Sequence, residues 1–291
     1  MVEGIITKGI GGFYYVMTEE GLVECHARGL FREEKMKPLI GDRVSIRISS
    51  EDGKGYIEKI HERKSELLRP TVANITQVVV VMSIKNPALN TWLLDRFTMM
   101  AEHEGLKLLI CINKSDLDRP ASDEIRLAYS LAGYDVVQTS VEENYGLEEL
   151  ESYLEGEMTV LAGPSGVGKS SLLNLIGQDF DLEVGNISEK TGRGKHTTRH
   201  VELLMLNEDS FVLDTPGFSS MDLRFIEEDR DIRKYFREIE KYGRDCKFMS
   251  CIHKNEPKCN VKAMVEEGKI SRMRYENYLH FVDEVQKRRK Y

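Results

Sequence analysis

Apolar runs of membrane-spanning length are absent from this 291-residue chain, and its first residues show no basic stretch followed by an apolar core. Both absences point away from an anchored or exported protein, so the expected location is the cytoplasm, with no membrane partner. Cysteine is scarce. Five residues, an odd number with no secretory signal, do not make a disulfide framework. Internal repeats and low-complexity tracts are missing too, which sets aside repeat and linker-like architectures. An excess of positive charge is also lacking: the net charge of −8 argues against generic coating of DNA. What is present is an ordinary globular balance, 41% apolar and 31% charged, in a chain long enough for two or three domains.

The acidity is unevenly placed. Residues 71–224 carry 24 acidic and 12 basic side chains, residues 1–70 balance at 12 and 12, and residues 225–291 carry 17 basic against 13 acidic. The acidic middle is flanked by segments on which basic patches could meet RNA phosphates.

In the middle segment, Met158-Thr159-Val160-Leu161-Ala162 reads as a buried parallel strand and Ser171-Leu172-Leu173-Asn174-Leu175-Ile176 as a helix. Between them stands Gly163-Pro164-Ser165-Gly166-Val167-Gly168-Lys169-Ser170, a phosphate-binding loop of the form GxxxxGK(S/T). Such a turn aims backbone N–H groups and a helix N-terminus at a polyphosphate. Lys169 is expected on the β- and γ-phosphates, and the Ser170 hydroxyl on Mg²⁺. Phe211-Val212-Leu213 is a second strand and ends in Asp214-Thr215-Pro216-Gly217. Asp214 is expected to hold Mg²⁺ through a water, and the Gly217 N–H to meet the γ-phosphate.

Upstream, Lys107-Leu108-Leu109-Ile110-Cys111-Ile112 is a strand that delivers Asn113-Lys114-Ser115-Asp116 at its end, about fifty residues before the phosphate loop. An Asp116 carboxylate there would accept from guanine N1–H and N2–H₂, donors that adenine does not present in that arrangement. Asn113 is expected at the N7/O6 edge, and the Lys114 stem along the base. Asp135-Val136-Val137-Gln138 leads into Thr139-Ser140-Val141, where the Ser140 N–H is the expected donor to guanine O6. Four such elements at strand ends describe a guanine-nucleotide site in an α/β domain. In an ordinary GTPase the phosphate loop precedes the guanine loop. Here the order is reversed, so the core is expected to be circularly permuted.

The hydrolytic group is less evident. Many GTPases orient the attacking water with a Gln after the Asp-x-x-Gly turn, and this chain has Phe218 there. Gly192-Arg193-Gly194-Lys195-His196-Thr197-Thr198-Arg199 occupies the place of a first switch loop. Thr197 or Thr198 would add a hydroxyl to Mg²⁺, His196 would orient the water, and Arg193, Lys195 or Arg199 would balance phosphate charge. A solvated basic loop touching RNA is the plainer alternative.

Residues 1–68 read as a small β-barrel of five short strands separated by glycine turns, which fits an OB fold. Arg28, Arg32, Lys35, Lys37, Arg43 and Arg47 are candidate phosphate contacts, and Phe13, Tyr14 and Phe31 candidate stacking groups for RNA. At the other end, Cys246-x₄-Cys251-x-His253-x₅-Cys259 supplies three thiols and an imidazole, the donor set of a closed structural Zn²⁺ site. Cys25 and Cys111 read as core residues. Residues 226–241 and 260–290 read as helical, with Tyr275, Tyr278, Leu279, Val282 and Val285 on one stripe. Lys287-Arg288-Arg289-Lys290 would complement the dipole of the last helix or touch RNA.

Taken together and in this order, these strings resemble the ribosome small-subunit-dependent GTPase A family. The resemblance covers essentially the whole chain, and the Glu256-Pro257-x-Cys259 stretch resembles that family's zinc loop. It implies an OB barrel over 1–68, a circularly permuted GTPase core over 69–224, and a helical zinc-binding domain over 225–291. It further implies GTP and GDP as ligands, the 30S subunit and its 16S rRNA as partners in late subunit maturation, and hydrolysis stimulated by that subunit. A monomer is expected. Two rivals remain at this level: a P-loop kinase or ATPase of another kind, and a non-enzymatic RNA-binding assembly factor with a structural guanine nucleotide.

Overall fold

The computed structural model describes residues 1–27, 31, 36–49, 53–68, 71–177, 202–214 and 223–288. Its first five strands are β1 (Val2–Ile10), β2 (Phe13–Thr18), β3 (Gly21–Ala27), β4 (Arg43–Ile48) and β5 (Gly55–Ile60), closed in the order β1-β2-β3-β5-β4. Alternation along each strand sends Ile6, Val16, Cys25, Val44, Ile46 and Ile57 inward to form the barrel core. Phe31 is buried in that core and Tyr14 packs against it, so neither is a free stacking group; Phe13 lies outside the cluster. Of the candidate phosphate contacts, Lys37, Arg43 and Arg47 are exposed, while Arg28, Arg32 and Lys35 lie outside the described residues.

A short hairpin, β6 (Glu66–Leu68) and β7 (Thr71–Ala73), joins the barrel to the central domain. The expected boundary at 68/69 falls inside it. Buried Asp42 fastens the junction, accepting from Leu39 N (2.7 Å) and from Arg63 Nε (2.8 Å) and Nη2 (2.9 Å). Asn74 Nδ2 donates to Gly41 O at 2.9 Å, and Ala73 N to Ile40 O at 2.8 Å.

The central sheet contains β8 (Gln77–Ser83), β9 (Lys107–Asn113), β10 (Asp135–Gln138), β11 (Met158–Ala162), β12 (Leu203–Asn207) and β13 (Ser210–Asp214), in the order β10-β9-β8-β11-β13-β12. All neighbours are parallel except the β12–β13 hairpin. Every residue of β8 and β11 is buried, the continuous pattern of parallel strands covered on both faces. Helices α1 (Thr91–Glu104) and α2 (Arg119–Leu131) cover one face with Leu94, Phe97, Ala128 and Tyr129; α3 (Leu147–Leu154) and α4 (Lys169–Ile176) cover the other with Leu150, Leu154, Leu172 and Leu173. The guanine half of the sheet (β8, β9, β10) precedes the phosphate half (β11, β12, β13) in the chain. The permutation is therefore visible in the topology.

The C-terminal unit breaks the stretches read as helical, 226–241 and 260–290, into shorter pieces. It begins with a 3₁₀ helix (Asp229–Tyr235), followed by α5 (Arg237–Gly243), α6 (Asn260–Glu266) and α7 (Arg272–Arg288). The stripe on α7 holds: Tyr278, Val282 and Val285 are buried with Phe281, and Tyr275 and Leu279 pack against them. Arg288 turns back instead of facing outward, donating to Leu223 O (2.9 Å) and to Ile226 O. Arg289 and Lys290 lie outside the described residues.

One buried network seats this unit on the sheet. Fully buried Arg274 of α7 donates to Glu238 Oε1 and Oε2 of α5 (2.8 and 3.0 Å) and to Asp95 of α1. Asp95 also accepts from Asn277 Nδ2 and from Tyr129 OH of α2, both at 2.7 Å. Burial works against the Arg274 charge, but Asp95 and Glu238 outweigh it and hold the guanidinium protonated.

Candidate functional site

Strand β8 pairs with both β9 and β11, which sets the guanine loop and the phosphate loop side by side at the carboxyl ends of the strands, where α/β sheets bind ligands. The two loops are bonded to each other. Asn113 is buried; its Nδ2 donates to Val167 O at 2.8 Å, and its Oδ1 accepts from Thr139 Oγ1 at 3.1 Å. A Cβ at Gly168, where φ is +98°, would stand 2.4 Å from Asn113 Nδ2, so this approach requires glycine. Lys114 Nζ donates to Gly166 O at 2.8 Å and to Asn86 O. A Cβ at Gly163 (φ +136°) would lie 2.1 Å from Val81 O, so the loop's first residue sits directly on β8.

Within the phosphate loop, Lys169 Nζ donates to Gly163 O and Pro164 O, both at 2.9 Å. Ser165 and Gly166 are exposed, Val167 is buried, and Ser170 and Ser171 are half-buried in the first turn of α4. That helix opens on Gly168, which has no side chain to cap its N-terminus. Its first N–H groups and the Lys169 ammonium form a compact positive end to which a polyphosphate is complementary. Asp214 ends β13, which β11 and β8 separate from the guanine loop's own strand β9. Its carboxylate, Thr215 to Gly217, Phe218, and the segment Gly192 to Arg199 with His196, Thr197 and Thr198 lie outside the described residues.

Asp116 supplies the most pointed observation. Its Oδ1 is buried and has no hydrogen-bond partner among the described residues. Leaving a buried acceptor unmade costs about 1–3 kcal/mol, and more for a charged group. A ligand that brings two adjacent N–H donors, as guanine does, removes that cost. Ser115 beside it is a strut: its N and Oγ both donate to Thr139 O, at 3.1 and 3.0 Å. Ser140 differs from the sequence expectation. Its N–H donates to Tyr145 O at 3.0 Å, closing a two-way bridge with Tyr145, so this donor is engaged within its own turn and not directed at guanine O6.

At the other end of the molecule the ligand atoms of Cys246, Cys251, His253 and Cys259 all lie within 4.8 Å of one another. Cys246 Sγ is 3.8 Å from Cys259 Sγ, and His253 Nδ1 is 3.5 and 3.4 Å from those two sulfurs. Four tetrahedral ligands on a metal with bonds of about 2.3 Å to sulfur would stand about 3.8 Å apart, so the group fits a single cation. Burial pushes the His253 pKa down to about 4, which keeps the ring in its neutral, ligating form. Burial, with the neighbouring thiols, pushes the Cys251 thiol up to about 12, a shift that a bound cation reverses. Gly243 lies against the imidazole: a Cβ there would come 3.0 Å from Nε2, which is itself buried and unpartnered among the described residues.

Several supports escaped the sequence reading. Glu256 accepts from the N–H groups of Ile252 (2.7 Å), Lys254 (2.9 Å) and Asn255 (3.0 Å), folding the metal loop around one carboxylate. Burial would raise its pKa, but these N–H groups outweigh burial and hold it below the ordinary value. Tyr275 and Tyr278 donate to His253 O (2.6 Å) and Ile252 O (3.1 Å). Only the Glu256-Pro257 string hinted at any of this. The Thr139 and Asn86 contacts had no signal, because they join segments far apart in the chain.

Comparison with known proteins agrees with this geometry. A family model described as RsgA GTPase matches residues 60–224, and one described as RsgA N-terminal domain matches residues 3–57. The small ribosomal subunit biogenesis GTPase RsgA of Clostridium perfringens (strain SM101) is 50% identical over 290 residues, 99% of each chain. Among solved structures, YloQ, described as a circularly permuted GTPase, superposes with a TM-score of 0.80 at 39% identity, covering 99% of this chain and 96% of its own. YjeQ from Thermotoga maritima superposes with a TM-score of 0.82 at 37% identity and 98% coverage of both.

Proposed function

The chain belongs to the RsgA GTPase family, and from that premise we propose that it hydrolyses GTP in the biogenesis of the small ribosomal subunit, with the subunit itself as partner and stimulator. The observation that carries the guanine reading is the orphaned Asp116 Oδ1 beside a phosphate loop to which Asn113 and Lys114 are bonded. Asp116 accepts from guanine N1–H and N2–H₂. The second hydrogen of Asn113 Nδ2 is left for N7, and the Lys114 stem lies along the base. On arrival of the phosphates Lys169 exchanges the carbonyls of Gly163 and Pro164 for the β- and γ-oxygens, joined by the N–H groups of Gly163 and of Ser165 to Ser171.

Magnesium, when bound, neutralises charge that develops on the β- and γ-oxygens. Ser170, Asp214 and Thr197 or Thr198 are its proposed holders, Gly217 N–H meets the γ-phosphate, and His196 orients the attacking water. The three-thiol, one-imidazole set at the C-terminus favours Zn²⁺ in a structural role. The partner RNA is the subunit's 16S rRNA, and the protein acts as a cytoplasmic monomer; no helix among the described residues is long and apolar enough to cross a membrane.

The permutation couples nucleotide to the C-terminal unit. In the chain Leu223 follows Asp214 by nine residues, and Arg288 of α7 grips the carbonyls of Leu223 and Ile226. Loss of the γ-phosphate therefore acts on the attachment of that unit, and the GDP form leaves the subunit. Turnover of GTP and ATP with and without 30S subunits tests the reading: strong, GTP-specific stimulation is expected, and equal use of ATP or no stimulation would overturn it. Equal affinity of the GDP and GTP-analogue forms for the subunit would remove the release step.

A further inference from the structure

Cys111 of β9 is a buried thiol that stands apart from the metal centre. Its Sγ lies 3.3 Å from Thr139 Oγ1, Thr139 Oγ1 lies 3.1 Å from Asn113 Oδ1, and Asn113 Nδ2 lies 2.8 Å from Val167 O. Counting hydrogens gives this row a direction. Val167 O is a carbonyl and only accepts, which places the amide nitrogen of Asn113 on it and the amide oxygen on Thr139. That oxygen also only accepts, so it takes the single hydroxyl hydrogen of Thr139. Only lone pairs then face Cys111, and the hydrogen between sulfur and oxygen comes from the thiol. Burial pushes the Cys111 pKa up to about 12, against the Thr139 bond, so the thiol keeps that hydrogen at neutral pH. The backbone of Thr139 is held as well: its N donates to Ile112 O at 2.9 Å, and its O accepts from Ser115 N and Oγ at 3.1 and 3.0 Å.

We propose that Cys111 is a positioning residue for the base, whose S–H acts through the Thr139 hydroxyl to hold the Asn113 amide in the sense that offers N–H to purine N7. A turned amide would set its oxygen against Val167 O and would show N7, an acceptor, a second acceptor. With the thiol donating, the Thr139 hydroxyl gains nothing by rotating toward sulfur, and a bond received at its oxygen strengthens the bond it gives. Each of the three side chains is at most 1% exposed, so solvent does not replace a donor that is removed. The inference deepens the proposed function: it rests on the guanine reading and names the group behind Asn113 that sets it.

The test is calorimetric binding of GDP and of 7-deaza-GDP, which carries a carbon in place of N7, to the full chain. The ratio of the two affinities reads the Asn113–N7 bond within each variant and is insensitive to a general loss of stability. The unsubstituted chain should bind GDP about tenfold more tightly than the 7-deaza analogue. Thr139→Val should lower the ratio to about twofold, and Thr139→Ser should leave it near the original value. Cys111→Ala should lower it to about threefold, and Cys111→Ser, which keeps a donor, should restore it. Cys111→Val lacks the donor but fills the space, and gives the same reading if Cys111→Ala does not fold. A merely structural thiol would weaken both nucleotides alike, so an unchanged ratio in the folded alanine or valine variant would overturn the assignment. In the unsubstituted chain, ADP bound as tightly as GDP, or no 7-deaza penalty, counts against the guanine reading itself. A full penalty that survives loss of the thiol counts against Cys111 alone.

Discussion

At the nucleotide site the groups that hold the loops are backbone carbonyls of Gly163, Pro164, Gly166 and Val167, gripped by Asn113, Lys114 and Lys169. At the metal centre four side-chain atoms converge on one point, and a carboxylate, two tyrosines and a glycine shape the loop behind them. Among the described residues the first arrangement holds itself together and leaves one buried acceptor unpaired, Asp116 Oδ1. The second gathers polar ligands that have little reason to stay together without a cation. Loss of a ligand should therefore cost function at the first site and folding at the second.

The sharpest break of that contrast is removal of the metal. A chelator, or Cys259→Ser, should unfold the unit around α5 to α7, because structural zinc in small domains supplies about 10–16 kcal/mol of apparent binding energy. Near-ultraviolet circular dichroism should lose the C-terminal signal while guanine-nucleotide binding persists. Simultaneous loss of both would mean that the two regions are one cooperative body.

Next comes the network that joins them. Arg274→Met leaves Asp95 and Glu238 buried without their cation and should cost about 3–5 kcal/mol in denaturant unfolding. Its sign with pH is set by Asp95. Burial raises that carboxyl above its ordinary value, and Arg274, Tyr129 and Asn277 oppose the shift. In the variant the folded state keeps a proton that the unfolded state releases. The deficit relative to the unsubstituted chain should therefore shrink as pH falls from about 7.5 toward about 5, and a deficit growing toward acid would contradict the assignment.

Smaller effects should come from the nucleotide site and from the barrel contact. Asn113→Ala strands Val167 O and Thr139 and should weaken GTP binding about tenfold, the equivalent of one buried hydrogen bond. Its melting temperature should fall by no more than several degrees, the cost of the stranded groups. Lys8→Ala removes a pair with Glu202 (2.7 Å) in which Lys8 is half-buried and Glu202 exposed, and should change stability by less than about 1 kcal/mol.

Legibility in the chain divides along the same line. The phosphate loop, the guanine loop, the five short strands and the Cys₃His set are local strings whose meaning depends on spacing within a few residues. Their reversed order was enough to indicate the permutation. Contacts between distant segments were not legible: Asn86 to Lys114, Thr139 to Asn113, or Arg274 to Asp95 and Glu238. Tyr14 read as a surface aromatic because a short barrel strand does not announce which of its faces is inside, and Phe31 because it stands between β3 and β4, where no strand alternation places it. Ser140 was assigned by its place after a strand, and the turn that takes up its N–H depends on Tyr145, five residues later.

The most direct test of the guanine site is the nucleotide preference of Asp116→Asn. Xanthine carries a carbonyl where guanine carries N2–H₂, so an amide at position 116 can donate to the oxygen that a carboxylate would repel. The unsubstituted chain should prefer GTP to XTP and the variant should prefer XTP, with both competent to turn over their nucleotide. A variant that keeps its preference for GTP would contradict the assignment of Asp116 to the base.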